Sequence, residues 1–216
     1  MSIQTGVIGK LIICFVSPDN ERRECEFGVS VVLTPYATAG IYILGMNSVE
    51  GSAFFAPGSV IWDLHSTNNL DAIRETIYGT DVFHSIPQLD VGRFAETVVE
   101  RELEQSTGFG HGIAIAHGRT SQVPTSEIAL GVSRQGIEFY AFDGRPVHLL
   151  FVVASHPDRQ IDYLRILSSL ATMARNELFR RELLACLCQE EAQQKVFSAF
   201  SGVLQRSVAM DSYRAS

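Results

Sequence analysis

Ser106-Thr-Gly-Phe-Gly-His-Gly-Ile-Ala-Ile-Ala-His-Gly-Arg119 decides how this chain folds, because within it a glycine-punctuated turn becomes an apolar run. Gly108, Gly110 and Gly112 stand at alternate positions and permit tight, positive-φ or closely packed backbone. Gly112-Ile-Ala-Ile-Ala116 then reads as a buried strand of small and β-branched residues. His117 follows where that strand opens into a loop through Gly118 and Arg119, and strand ends of this kind are where α/β folds place chemistry.

Upstream of this stretch the pattern is helical. Phe94, Val98 and the Val99/Leu103 pair predict a helix from about Val91 to Leu103 that carries Glu100, Arg101 and Glu102 toward its C-terminal end. Before it, Ser66-Thr-Asn-Asn69 supplies N-cap residues for a helix in which Leu70, Ile73 and Ile77 share a face. Downstream, Ile128–Gly131, Ile137–Phe142 and Val147–Val153 read as strands, with Gln135-Gly136 and Asp143-Gly-Arg-Pro146 as the turns between them. A sheet of about four strands results. Past Ser155-His-Pro-Asp158, the residues Ile161, Leu164, Leu167, Leu170 and Met173 recur at three-residue steps with Ala171 and Ala174 beside them, predicting a helix with a broad apolar face. Further helix is expected over Glu177–Cys188 and Glu190–Leu204, and residues 207–216 lack periodicity and read as a frayed tail. The fold class is therefore α/β, a central mixed β-sheet flanked by helices over residues 58–206.

Residues 1–57 read differently. Leu11-Ile-Ile-Cys-Phe-Val16, Val31-Val-Leu33 and Ile41-Tyr-Ile-Leu44 are short apolar runs separated by turn-formers, which predicts a β-rich N-terminal extension that ends near Ala56-Pro-Gly58.

Composition narrows the function. A chain of 216 residues with 46% hydrophobic and 19% charged residues is an ordinary globular sequence. The net charge of −7, with 17 basic residues against 24 acidic ones, argues against nucleic acid as a partner. No segment approaches the ~20 apolar residues of a membrane span, so no direct membrane insertion is expected and the chain reads as cytoplasmic. Cys14, Cys25, Cys186 and Cys188 form no zinc-type pair and read as free thiols of a reducing compartment.

The residues also carry a likeness. Arg101-Glu102 followed by Ser106-Thr-Gly-x-Gly-x-Gly-x-Ala-Ile-x-His-Gly-Arg119 resembles the enzyme IIA domain of the phosphoenolpyruvate:sugar phosphotransferase system, of the fructose/mannitol and nitrogen-regulatory type. Ile61-Trp-Asp-Leu64, Gly136-Ile-Glu-Phe139 with Asp143-Gly-Arg-Pro-Val147, and Tyr163-Leu-Arg-Ile-Leu-Ser-Ser-Leu-Ala171 extend it over about residues 60 to 205. The resemblance implies a phosphocarrier in which His117 accepts a phosphoryl group from an HPr-like carrier and passes it to an enzyme IIB or holds it as a regulatory signal. It equally admits a binding protein that controls a kinase or transporter by contact.

Chemistry fits that implication. A neutral imidazole is the natural acceptor near physiological pH, and Arg101 matches the family's arginine and offers a guanidinium for phosphoryl oxygens. Ser106 and Thr107 supply further donors, and the amides from Thr107 through Gly108, Gly110 and Gly112 an anion nest. His111 either lines the cleft or is a solvated loop histidine, and Arg119 is either a partner-docking residue or plain surface. No metal or cofactor is called for, because Arg101 and amides supply the charge stabilisation. Two departures from the family stand out: Ala116 where a proline usually precedes the histidine, and Tyr163 where many members carry a second histidine, a tyrosine whose hydroxyl can support phosphate binding by hydrogen-bonding a phosphate oxygen but does not titrate near neutral pH.

Overall fold

A computed structural model of the chain describes residues 54–214, with side chains through Ser207. Most of the expected β-rich extension, residues 1–53, lies outside the described residues, as do Cys14 and Cys25.

The elements follow the order β1 (Val60–Trp62), α1 (Asn69–Gly79), α2 (Asp81–His84), α3 (Val91–Glu104), β2 (Gly108–Gly110), β3 (Ile113–Arg119), β4 (Glu127–Ile137), β5 (Val147–Ser155), α4 (Gln160–Arg175), α5 (Glu177–Leu184) and α6 (Gln189–Arg214). The five strands form one mixed sheet in the order β1-β4-β5-β3-β2, with β1 parallel to β4, β4 antiparallel to β5, β5 parallel to β3 and β3 antiparallel to β2. Alternation along β3 sorts its side chains. Ala114 and Ala116 enter a core with Ile73, Ile77, Phe83, Phe94 and Val98 from α1–α3. Ile113 and Ile115 enter the opposite core, with Ile166 and Leu170 of α4, Phe179 of α5 and Phe200 of α6. Helices thus cover both faces, as a sheet with parallel pairs and near-continuous apolar strands requires. Phe55, 3% exposed, meets Phe200 edge-on at 5.2 Å, so the packed domain already includes residues just before Pro57-Gly58.

Asn68 caps α1 through its side chain, which accepts from the Asp71 amide, and Asp90 caps α3 in the same way from Arg93. Three sequence expectations change. The strand expected over Ile137–Phe142 does not form as a separate element: β4 runs on through Gln135-Gly136, and its register against β5 jumps from Val132↔Leu149 to Ile137↔Val147. Gly136 at φ +88 makes this a bulge rather than a hairpin turn, and Tyr140 at φ 49 ends the extended run beyond it. On α4 the buried residues are Tyr163, Ile166, Ser169, Leu170, Met173 and Ala174, while Ile161 and Leu164 are exposed. Finally, α6 continues as one helix to Arg214 across the stretch expected to fray, which contains neither Gly nor Pro.

Gly118 is what lets α3 approach β3 so closely. A Cβ there would stand 2.8 Å from Val98 Cγ2 and 3.0 Å from Phe94 Cε2. We expect Gly118→Ala to lower the unfolding free energy by about 1–3 kcal/mol, read from urea denaturation, because the stiff valine and the packed phenylalanine must both yield.

Candidate functional site

The end of α3 and the turn after it are fixed by one carboxylate. Glu102 is 3% exposed. Its oxygens accept from the Thr107 amide at 3.0 Å, from the Thr107 hydroxyl, and from Asn69 Nδ2 at 3.4 Å. Burying a carboxylate is costly unless donors replace its water, and these do. One position further along, Leu103 faces solvent at 67% exposure. The helix is thus rotated so that an acid points inward where an apolar residue was expected. Glu102 is the residue that sequence reasoning missed; the signal was its place three and four residues beyond Val99 and Val98 on the buried face.

The same bonds revise the expected phosphate nest. The Ser106 hydroxyl donates to the Phe139 carbonyl at 2.6 Å and accepts from the Gly108 amide at 3.1 Å. The Thr107 hydroxyl and amide are spent on Glu102. Gly110, His111 and Gly112 all have positive φ, and the His111 amide donates to Asp143 Oδ2 at 2.8 Å. That bond, with a second from Arg145, holds the Asp143 carboxyl below its usual range. Two amides of the turn, those of Thr107 and His111, thus meet the protein's own carboxylates, and the Gly108 amide meets a hydroxyl. The His111 side chain is exposed.

His117 lies in β3 opposite Val153 of β5, half-buried and on the α4 side of the sheet. Its ring meets the Tyr163 ring at a centroid distance of 5.5 Å with planes 70° apart. The Arg119 guanidinium lies over that same tyrosine ring, 5.3 Å from its centroid. Arg101 donates from Nη1 to the Gln105 carbonyl at 2.9 Å. Burial first, then the positive charges of Arg101 and Arg119, lower the His117 pKa to about 4. Burial raises the Tyr163 phenol, against the opposing pull of Arg119 and Arg101. Both groups are therefore neutral at physiological pH, and two cations stand beside them. Among the described residues no hydrogen bond ties either nitrogen of the His117 ring. The imidazole is thus a nucleophile with its lone pair available.

The other histidines stand apart from this centre. His148 Nδ1 bonds the Ser133 carbonyl at 2.9 Å, His84 the Tyr78 carbonyl, and His65 pairs with Glu75. His156 Nδ1 accepts from the Asp158 amide at 3.2 Å and lines a cleft of about 1140 Å³ with Gln122, Arg159 and Ile161. Neither His117, Arg101 nor Tyr163 lines that cleft. A phosphoryl acceptor served by another protein needs an accessible nitrogen rather than an enclosing cavity, so the His117 cluster is the candidate site on chemical grounds.

Two measurements check this geometry. An NMR titration should place the His117 ring near pH 4. The unfolded imidazole titrates near 6.5 and takes up its proton first, so the stability contributed here declines as pH falls from about 6.5 to about 4. His117→Gln should remove that slope. Glu102→Gln should cost about 2 kcal/mol in urea denaturation, since an amide cannot accept from all three donors with both of its ends.

Residues 53–198 match the family described as "Phosphoenolpyruvate-dependent sugar phosphotransferase system, EIIA 2". The fructose-specific EIIABC component of Bacillus subtilis (strain 168) is 38% identical over 91 residues, which are 42% of this chain and only 14% of that protein. A nitrogen regulatory protein of Pseudomonas aeruginosa is 33% identical over 121 residues, 56% of this chain and 79% of that one. The solved structure of nitrogen regulatory protein IIA-Ntr from Neisseria meningitidis superposes with a TM-score of 0.60 at 25% identity, covering 69% of this chain and 97% of that one. Since the matched residues take in the sheet, the glycine turn and His117, the chain belongs to the type-2 EIIA family of the phosphoenolpyruvate-dependent sugar phosphotransferase system.

Proposed function

We propose that this protein is a phosphocarrier: His117 accepts a phosphoryl group from the phosphohistidine of an HPr-like protein and passes it to an enzyme IIB or holds it as a regulatory signal. The observation that carries this reading is a neutral, half-buried imidazole with two guanidinium groups close enough to depress its pKa. The step exchanges one P–N bond for another. A ring nitrogen of His117 attacks phosphorus, and the P–N bond to the donor imidazole breaks with its electron pair returning to the donor ring. The donor ring takes up one proton, and the His117 ring releases one from its other nitrogen. Arg101, with one N–H on the Gln105 carbonyl and the rest of its fork unspent among the described residues, and Arg119 stabilise the charge on the phosphoryl oxygens in flight.

A second reading is supported by relatives that carry the name nitrogen regulatory protein. In it the chain binds and controls a kinase or transporter, and phosphate on His117 acts as a charge switch of about −1.5 to −2 at the docking face.

Incubation with phosphoenolpyruvate, enzyme I and HPr should add one phosphoryl group, seen by intact mass. His117→Ala should abolish it, and Arg101→Ala should slow it by about 10²-fold. Absence of any mass shift in the unsubstituted protein would overturn the carrier reading. Binding of a regulated partner that does not respond to phosphorylation would overturn the switch.

A further inference from the structure

Tyr163 touches both of the other exposed-facing members of the site. Its ring meets the His117 imidazole edge-on at 5.5 Å, and the Arg119 guanidinium lies over it at 5.3 Å. The tyrosine itself is 8% exposed and anchored in α4, on the face that packs against the sheet. Its hydroxyl makes no hydrogen bond among the described residues. The contacts that define this side chain are therefore made by its ring.

Each contact has a consequence. An edge-to-face aromatic pair restricts rotation of the imidazole about its χ2, and it does so from a residue held by a helix rather than by a loop. A guanidinium held on a ring face is fixed in place without being neutralised, as it would be by a carboxylate. Arg119 follows His117 by two residues on the same strand, so both side chains leave the same face of β3 and Tyr163 is the group that fixes the space between them.

We propose that Tyr163 is a positioning residue for phosphoryl transfer, its ring aligning the His117 nucleophile and holding Arg119 over the site as a second cation. This assigns Arg119 to the charge stabilisation of the reaction rather than to docking, and it assigns the work of Tyr163 to its ring rather than its hydroxyl. The inference rests on the carrier reading for its kinetics but not for its geometry.

Three single variants, Tyr163→Leu, Tyr163→Phe and Arg119→Ala, and one double variant decide it. Initial rates of phosphoryl uptake are measured at varied phospho-HPr, and the His117 ring is titrated by NMR in parallel. The groups that act on that titration are Arg101 from α3, Arg119 from β3 and Tyr163 from α4. Tyr163→Leu should lower kcat about ten- to a hundredfold with KM for phospho-HPr unchanged. It should also raise the His117 midpoint from about 4 toward its ordinary value, since it readmits water and releases Arg119. Tyr163→Phe should keep kcat within about twofold and the His117 midpoint near 4, because it keeps the ring. Arg119→Ala, an exposed change that leaves the core intact, should lower kcat to a similar extent, and the double variant Tyr163→Leu/Arg119→Ala should lose less than the two single losses combined.

The proposal is overturned if Tyr163→Leu leaves midpoint and kcat unchanged, if Tyr163→Phe is as impaired as Tyr163→Leu, or if Arg119→Ala acts on KM alone. Should the unsubstituted protein accept no phosphoryl group, the carrier reading fails by itself. The titration needs no donor and still decides whether the Tyr163 ring governs His117.

Discussion

The buried carboxylate of Glu102 is the constraint on which the rest of the site depends. It joins the start of α1, the end of α3 and the turn into β2 through Asn69, the helix itself and Thr107. Charge-assisted hydrogen bonds are worth about 1.5–3 kcal/mol each, and an unpaired carboxylate in this position would cost several. The turn is therefore held in one conformation, and with it the entry angle of β2 and β3. Because Arg101 and Glu102 are neighbours on one helix, the bond that fixes the turn also fixes where the guanidinium begins. Charge partner and nucleophile are thus both positioned from a single locked corner.

That corner also separates charges by sign. Glu102 and Asp143 collect the amides of the glycine turn, and the cations stand on the His117 side. A glycine-rich turn before a histidine reads from sequence as a cradle for phosphate, and the local chemistry of that reading is sound: the amides do bind anions. What the sequence does not reveal is that two acids, one of them more than thirty residues away in the chain, take the Thr107 and His111 amides. Long-range competition for a donor leaves no periodic trace.

Much of the fold was nevertheless legible. His117 on a buried strand, the cap of α1, and helices on both sides of a mixed sheet follow from spacing alone, although β3 runs on through Gly118 and Arg119, paired with Ala154 and Ser155, where a loop was expected. The failures share a cause in helical phase. A three-residue step advances about 300° around an α-helix, so an apolar stripe built of such steps slips by about 60° at every repeat. On α4, Ile161 and Leu164 slip to the surface, while Ile166, Leu170, Met173 and Ala174 stay inward with Tyr163. The residue that matters to His117 was thus placed by a face that the three-residue count obscured. On α3 the step from Val99 to Leu103 is four residues, an advance of about 400°, and that overshoot of about 40° turned Leu103 outward while Glu102 faces inward. The bulge at Gly136 failed differently, since a glycine beside a polar residue signals a turn whether the chain reverses or only kinks.

A site built to receive a phosphoryl group faces a conflict, because the cations it needs must be held still, and the usual partner that holds a cation is an acid that cancels it. This protein holds both guanidiniums by other means. Arg101 is fixed by a carbonyl oxygen at the C-terminal end of α3, and Arg119 by the face of an aromatic ring. Among the described residues neither forms an ion pair with a carboxylate, whereas Arg74 and Arg159, away from the site, both do. The positive potential left uncancelled joins burial in keeping His117 neutral. The same potential is what the proposed phosphoryl transfer calls for. Neutral nucleophile and unpaired cations are then two aspects of one arrangement, and the price is a histidine that resists protonation down to about pH 4.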